Sequence, residues 1–284
     1  MRHASIALLA ACASLAACSS GSDITPAPAQ LLYVGDDALP AFLRVYTLPL
    51  SATSLPTVVL PLNKPFLIGV SSNTLAATEL SGNIRLFTLP VSANSGPFAT
   101  ISSPSNSTPV FSHGLLYQGG SGSISVFTPP FSNATSASDS IATFGLSAAD
   151  LAVDPNGNLY VATGANVIGV VSGSTLTTVL TASASMSFRG MAATATRLFA
   201  CGFNGLANDV FIYALPLTST ATPVSTIDLG EAAPEACVVD AAGNLYVGSP
   251  DGRIFVFAPP FSSTSVPTLT LATPAVIFGM AIGQ

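Results

Sequence analysis

Chemistry in this chain has few residues to work with. Only 7% of its 284 residues are charged, 7 Lys and Arg against 13 Asp and Glu, and there are 2 His. The charged residues that stand between apolar runs and share one pattern of spacing are Asp36, Asp37, Glu79, Asp150, Arg189, Asp209, Glu231, Glu235 and Asp251. Spread singly, such groups suit an acidic, ligand-facing surface. Converging, carboxylates such as Asp36, Glu79, Asp150 and Glu235 could hold calcium or another hard cation, which binds oxygen ligands. Beyond the amino terminus His113 is the one histidine, so a zinc site or a Ser-His-Asp triad has too few parts. HExxH, GxxxxGK[ST] and GxSxG are all absent, which leaves no catalytic residue to assign and no cofactor to predict from a motif. Cys201 and Cys237 are candidates for a disulfide or for two packed thiols.

Composition narrows the class. At 49% hydrophobic with no Trp, the chain is too apolar for disorder. A formal charge of −6 with seven basic residues offers no patch to neutralise a run of phosphates, which argues against nucleic acid. The amino terminus reads as a targeting segment. Arg2 and His3 precede an apolar stretch from Ile6 to Ala17, too short for a membrane span. It ends in Leu15-Ala16-Ala17-Cys18, which resembles the bacterial lipobox, whose Cys accepts a diacylglyceryl group before cleavage. Residues 1–17 are thus expected to be a lipoprotein signal and 18–29 a polar tether on lipidated Cys18. Ser19 after the Cys implies the outer membrane over the inner one. An ordinary secretory signal is the alternative, with a secreted or periplasmic product.

The elements that must position the charged residues show themselves as a repeat. An alternating strand followed by Pro, an apolar residue and Ser or Thr recurs as RVYTLPLS, RLFTLPVS, SVFTPPFS, FIYALPLT and FVFAPPFS. Its marker prolines are Pro49, Pro90, Pro130, Pro216 and Pro260, spaced by 41, 40, 86 and 44 residues. The 86 is a doubled period. Asn166 to Ser174 (NVIGVVSGS) supplies the missing copy's strand without its proline, making six copies. Each holds four short strands, as a propeller blade does. In the fourth they are expected at Asp150–Val153, Leu159–Thr163, Asn166–Val171 and Leu176–Thr181, with Asp154-Pro155-Asn156-Gly157 reversing the chain after the first. Strands of about five residues are too short for an outer-membrane barrel. The expected fold is therefore all-β over residues 30–284: a six-bladed β-propeller with four antiparallel strands per blade. Leu31 to Gly35 matches a second strand and Phe278 to Ile282 a first, so both termini complete blade one, which removes an exposed sheet edge.

DLAVDPNGNLYVA (Asp150 to Ala162), AGNLYVG (Ala242 to Gly248) and LLYVG (Leu31 to Gly35) are similar to the repeats of NHL-type and related six-bladed propellers. The resemblance implies blades and no particular chemistry. It also implies that binding uses the face carrying the second-to-third and fourth-to-first strand connections. That face receives all nine residues named above, whereas Asp139, Asp154, Asp240 and His113 fall opposite. Arg189 and Glu235 occupy matching positions in adjacent blades and are placed to pair. Gluconolactonase-like propellers carry a catalytic metal near the channel, but this chain does not match their metal motif residue by residue. The expected function is a monomeric, lipid-anchored, non-enzymatic module binding an envelope protein, peptide or cell-wall polymer and touching the membrane only through its anchor. A metal-dependent lactone or ester hydrolase is the alternative.

Overall fold

In the computed structural model, residues 29–37, 40–63, 65–103, 105 and 107–283 are described. Twenty-four strands follow in chain order among them. Blade one takes β1 (Leu31–Asp36), β2 (Phe42–Thr47) and β3 (Val58–Pro61). Blade two is β4 (Pro65–Val70), β5 (Thr74–Glu79), β6 (Ile84–Thr88) and β7 (Ala99–Ile101). Blade three is β8 (Pro109–Ser112), β9 (Leu115–Gly119), β10 (Ser121–Phe127) and β11 (Asp139–Ser147). Blade four is β12 (Asp150–Val153), β13 (Leu159–Ala162), β14 (Val167–Ser172) and β15 (Thr175–Thr181). Blade five is β16 (Ser187–Ala193), β17 (Arg197–Phe203), β18 (Asn208–Ala214) and β19 (Ser225–Asp228). Blade six is β20 (Ala236–Val239), β21 (Leu245–Gly248), β22 (Arg253–Phe257) and β23 (Leu269–Ala272).

The last strand, β24 (Ile277–Gly283), returns to blade one, giving the order β24-β1-β2-β3 in that sheet. Leu31 pairs with Gly283 and Tyr33 with Ala281. All six sheets are antiparallel and four-stranded. The ring is thus a six-bladed propeller closed by its two termini, as the repeat predicts.

The core lies between blades. Successive side chains of a strand point to opposite faces of its sheet, so each blade offers an apolar face to both neighbours. Between blades five and six, Phe199, Cys201, Val210, Ile212, Cys237, Leu245, Val247 and Phe257 pack together. The recurrent proline phrase adds a clamp. Each marker proline follows a cis peptide bond, and the apolar residue after it reaches across the junction. Phe261 meets Phe199 edge-on with centroids 5.4 Å apart, Leu50 packs with Leu271, and Val91 packs with Leu60. The Ser that follows turns the chain by accepting a later hydroxyl's help: the Ser51 amide donates to Ser54 Oγ at 2.8 Å and the Ser262 amide to Ser265 Oγ at 2.9 Å. Blade four replaces this loop with a tight turn in which Gly173 takes φ +62°, a conformation that favours glycine.

The DPNGNLY phrase also has a local cause. Asp154 Oδ1 accepts from the Asn156 and Asn158 amides at 2.8 and 3.0 Å, and Oδ2 from Asn158 Nδ2 and the Tyr160 hydroxyl at 2.8 and 3.2 Å. Asp240 does the same for Asn244 and Tyr246. These carboxylates close first-to-second turns on the face away from the charged residues.

Candidate functional site

The innermost strands β4, β8, β12, β16, β20 and β24 surround a central channel of about 360 Å³. Its wall is largely uncharged, including Ile68, Val110, Met191, Cys237 and Met280. Asp150 and Glu235 enter it at the end where the second-to-third and fourth-to-first connections lie, and Asp154 at the other.

Asp150 opens β12 and is buried. Its carboxylate accepts from the Met191 amide of blade five, and Thr108 of blade three hydrogen-bonds it from the other side. One side chain thereby ties three blades together. Burial pushes its pKa up to about 7, more than the hydrogen bonds from Thr108, Met191 and Leu151 hold it down. Arg189 of β16 crosses to Glu235, just ahead of β20, which is the pairing their matched positions predict. Burial raises the Glu235 carboxyl and outweighs the opposing charge and hydrogen bond of Arg189.

The remaining acidic residues are less free than a bare acidic surface requires. Asp36, at the end of β1, accepts from the Phe42 amide at 2.9 Å and from Arg44 Nε at 2.8 Å. Glu79, at the end of β5, faces Arg85 Nε at 2.8 Å. Asp251 in the β21–β22 turn pairs with Arg253, whose hydrogen bonds hold its carboxyl below the usual range against the effect of burial. Asp209 lies directly across from Asp228 in the ladder of β18 and β19. Burial and then the Asp228 charge raise its pKa, while the Asn204 side-chain amide donates to it and opposes the rise. The Asp37 amide donates to the Val276 carbonyl at 3.3 Å, and Glu231 is exposed in the β19–β20 connection.

One expectation is refined and one corrected. The surface is acidic but partly neutralised by arginine–carboxylate pairs around the channel mouth, because Arg44 and Arg85, within β2 and β6, and Arg253, which opens β22, stand beside Asp36, Glu79 and Asp251. Asp36, Glu79, Asp150 and Glu235 do not converge: two line the channel, while Asp36 and Glu79 stand outside its wall with their arginines. Among the described residues no three His, Cys, Asp or Glu side chains gather as metal ligands do. The missed arginines had a signal, since Arg44 and Arg85 each stand five residues before a marker proline.

His113 lies in the β8–β9 turn on the far face, its Nδ1 3.0 Å from Ser112 Oγ. Cys201 and Cys237 are free thiols, both buried. Cys18 and the leader lie outside the described residues. No helix among the described residues is long and apolar enough to cross a membrane.

Comparison with known proteins adds to this geometry. Residues 223–257, which include Glu235 and β20 to β22, match the family described as strictosidine synthase-like, N-terminal. None of the curated proteins matches the chain in sequence. Among solved structures, the WD40 β-propeller domain of Doa1 superposes with a TM-score of 0.63 at 12% identity, over 88% of this chain and 82% of that one. A chain of the COPII outer coat vertex on membranes gives 0.59 at 14% identity, over 86% and 69%. The WD40 domain of Toxoplasma gondii coronin gives 0.56 at 14%, over 87% and 70%. At such identities the likeness speaks for the fold alone: the chain is a β-propeller repeat protein of six blades.

Proposed function

We propose that this protein is a non-enzymatic binding module, carried to the bacterial envelope and anchored there through lipidated Cys18, which takes a protein, peptide or cell-wall polymer on its charged loop face. The observation that carries this reading is the division of charge between the two ends of the ring. On the far face, Asp154 and Asp240 are consumed in closing turns. On the other, four arginine–carboxylate pairs stand among the described residues around an open channel mouth. Paired charges held by short strands present fixed donors and acceptors. Such an arrangement confers orientation and partner choice more than raw affinity.

Two experiments test the two halves. Cys18→Ser should move the protein from the membrane fraction to the soluble periplasmic fraction. An unchanged distribution removes the anchor, and an ordinary signal followed by a soluble product becomes the account. Charge reversal at exposed Glu231 and Asp251 to Lys should weaken binding to isolated peptidoglycan sacculi or to an envelope protein partner and change its salt dependence. Unaltered binding by that variant removes the face.

A second reading, metal-dependent hydrolysis of lactones or esters, draws support from the match at 223–257 and from Asp150 and Glu235 in the channel wall. A calcium-dependent rise in melting temperature together with lactone hydrolysis lost in Asp150→Asn would favour it over the first.

A further inference from the structure

The repeat sets the same two register positions six times. Pairing within each blade aligns Gly35, Thr78, Gly119, Ala162, Cys201 and Gly248 on the second strands. On the first strands it aligns Ile68, Pro109, Leu151, Met191, Cys237 and Met280. These two positions recur in every blade, the second-strand one of a blade on the side of the first-strand one of the next. At the junction of blades six and one, a Cβ added to Gly248 would sit 3.2 Å from the Met280 sulfur. In the other five blade pairs the two positions hold different residue types, Gly35 and Ile68, Thr78 and Pro109, Gly119 and Leu151, Ala162 and Met191, and Gly248 and Met280. Only between blades five and six is the residue on both sides a cysteine, and there the two pack in one buried cluster, with the Cys237 thiol donating to the Phe199 carbonyl of the neighbouring blade at 3.9 Å.

We propose that Cys201 and Cys237 are a disulfide-forming pair that staples blade five to blade six, closed by a disulfide oxidant entering through the central channel. Access is one-sided. Cys237 lines the channel, whereas Cys201 lies behind it and is fully buried. Only Cys237 is reached from the channel, so it is the first nucleophile, and burial, followed by the neighbouring Cys237, pushes the Cys201 thiol well above its ordinary pKa. Its thiolate attacks one sulfur of the oxidant's disulfide, that S–S bond breaks, and one oxidant thiol leaves. Cys201 then gives up its proton, attacks Cys237 Sγ in the mixed disulfide and expels the second oxidant thiol. Two protein thiols are oxidised to one disulfide, and one oxidant disulfide is reduced to two thiols that carry away the protons. The closed loop runs from residue 201 to 237. A cross-link over that span constrains the unfolded chain enough to raise the melting temperature by about 10 °C in a domain of this size.

Closure in the cell rests on the export reading above, because the envelope outside the inner membrane is oxidising. The pairing does not, since an added oxidant replaces the compartment. The test is to incubate the folded full-length protein with cystamine, unfold it in iodoacetamide, and map the peptides carrying residues 201 and 237 without reduction. The expected result is one cross-linked peptide pair and a melting temperature about 10 °C higher, reversed by dithiothreitol. Cys201→Ala and Cys237→Met reproduce the residues Ala162 and Met191 found at these positions in other blades, so both variants should fold and lose the cross-link. Alkylation of both thiols after full exposure, or a stable cystamine adduct on Cys237 beside an alkylated Cys201, would overturn the proposal.

Discussion

Replacing Asp154 by Ala removes an acceptor from four donors at once: two backbone amides, the Asn158 side-chain amide and the Tyr160 hydroxyl. The first three belong to Asn156 and Asn158, which are exposed, so water replaces most of what they lose. The Tyr160 hydroxyl sits on a buried side chain and is left without its partner, at about 1–3 kcal/mol. Loss of the preset turn adds about 1 kcal/mol. The expected destabilisation is about 3 kcal/mol, read as a shift in the urea midpoint with unchanged slope. Tyr160→Phe in the same background should recover about 1–2 kcal/mol of it, which a double-mutant cycle reports as coupling. The effect should also depend on pH. Burial alone would raise the Asp154 carboxyl, but the hydrogen bonds from Asn158, Asn156 and Tyr160 prevail and hold it below its ordinary 3.8. Its contribution is therefore complete above about pH 4–5 and fades as the pH falls through the lowered folded value. A destabilisation below about 0.5 kcal/mol at pH 7, or no coupling to Tyr160, would refute the claim that this carboxylate holds the turn.

Asp150 should show the opposite sign. Its folded pKa, raised to about 7, means the native state binds the proton more tightly than the unfolded chain. Wild-type stability should then fall as pH rises from about 4 to 7. Asp150→Asn, which stays neutral, should be relatively more stable at pH 8 than at pH 5 by an amount on the order of a few kcal/mol, measured by paired urea titrations. Deleting residues 277–284 removes β24, the partner of β1, and should abolish the cooperative melting transition; an unchanged transition would contradict closure by the termini. Gly69→Ala places a Cβ 1.9 Å from the Pro109 carbonyl oxygen between blades two and three. It should lower the melting temperature by several degrees, because the atoms in the way are Pro109 backbone and not a flexible side chain.

The fold was legible because it is written several times. Five proline phrases and a doubled gap gave the blade count, and the one blade without the phrase is the one whose third and fourth strands meet in a glycine turn. Strand bounds in blade four agree to within a residue or so, since Asp-Pro-Asn-Gly fixes the first reversal. The site was legible only as a face. Which charges share that face follows from strand order, but which of them are neutralised depends on side chains meeting across a ladder. Arg44 and Arg85 open two of the repeated phrases and Arg253 stands two residues ahead of a third, but nothing in spacing alone tied them to Asp36, Glu79 and Asp251. The burial that lifts Asp150 arises from three consecutive blades, with Thr108, Asp150 and Met191, about forty residues apart, brought together by the packing of their innermost strands. The facing of Cys201 and Cys237 likewise needed the register of two blades at once.

The central claim is that the ligand meets the charged face. A photocrosslinking residue placed singly at Leu206 and Glu231 on that face, and at Arg197 and Ser263 on the other, tests it in intact cells. Leu206 is 95% exposed, and Glu231, Arg197 and Ser263 are exposed as well, so all four sites should leave the fold intact. Ultraviolet exposure should give a discrete higher-mass adduct from positions 206 and 231 and none from 197 and 263. An adduct confined to positions 197 and 263, or none at any of the four, would contradict the account.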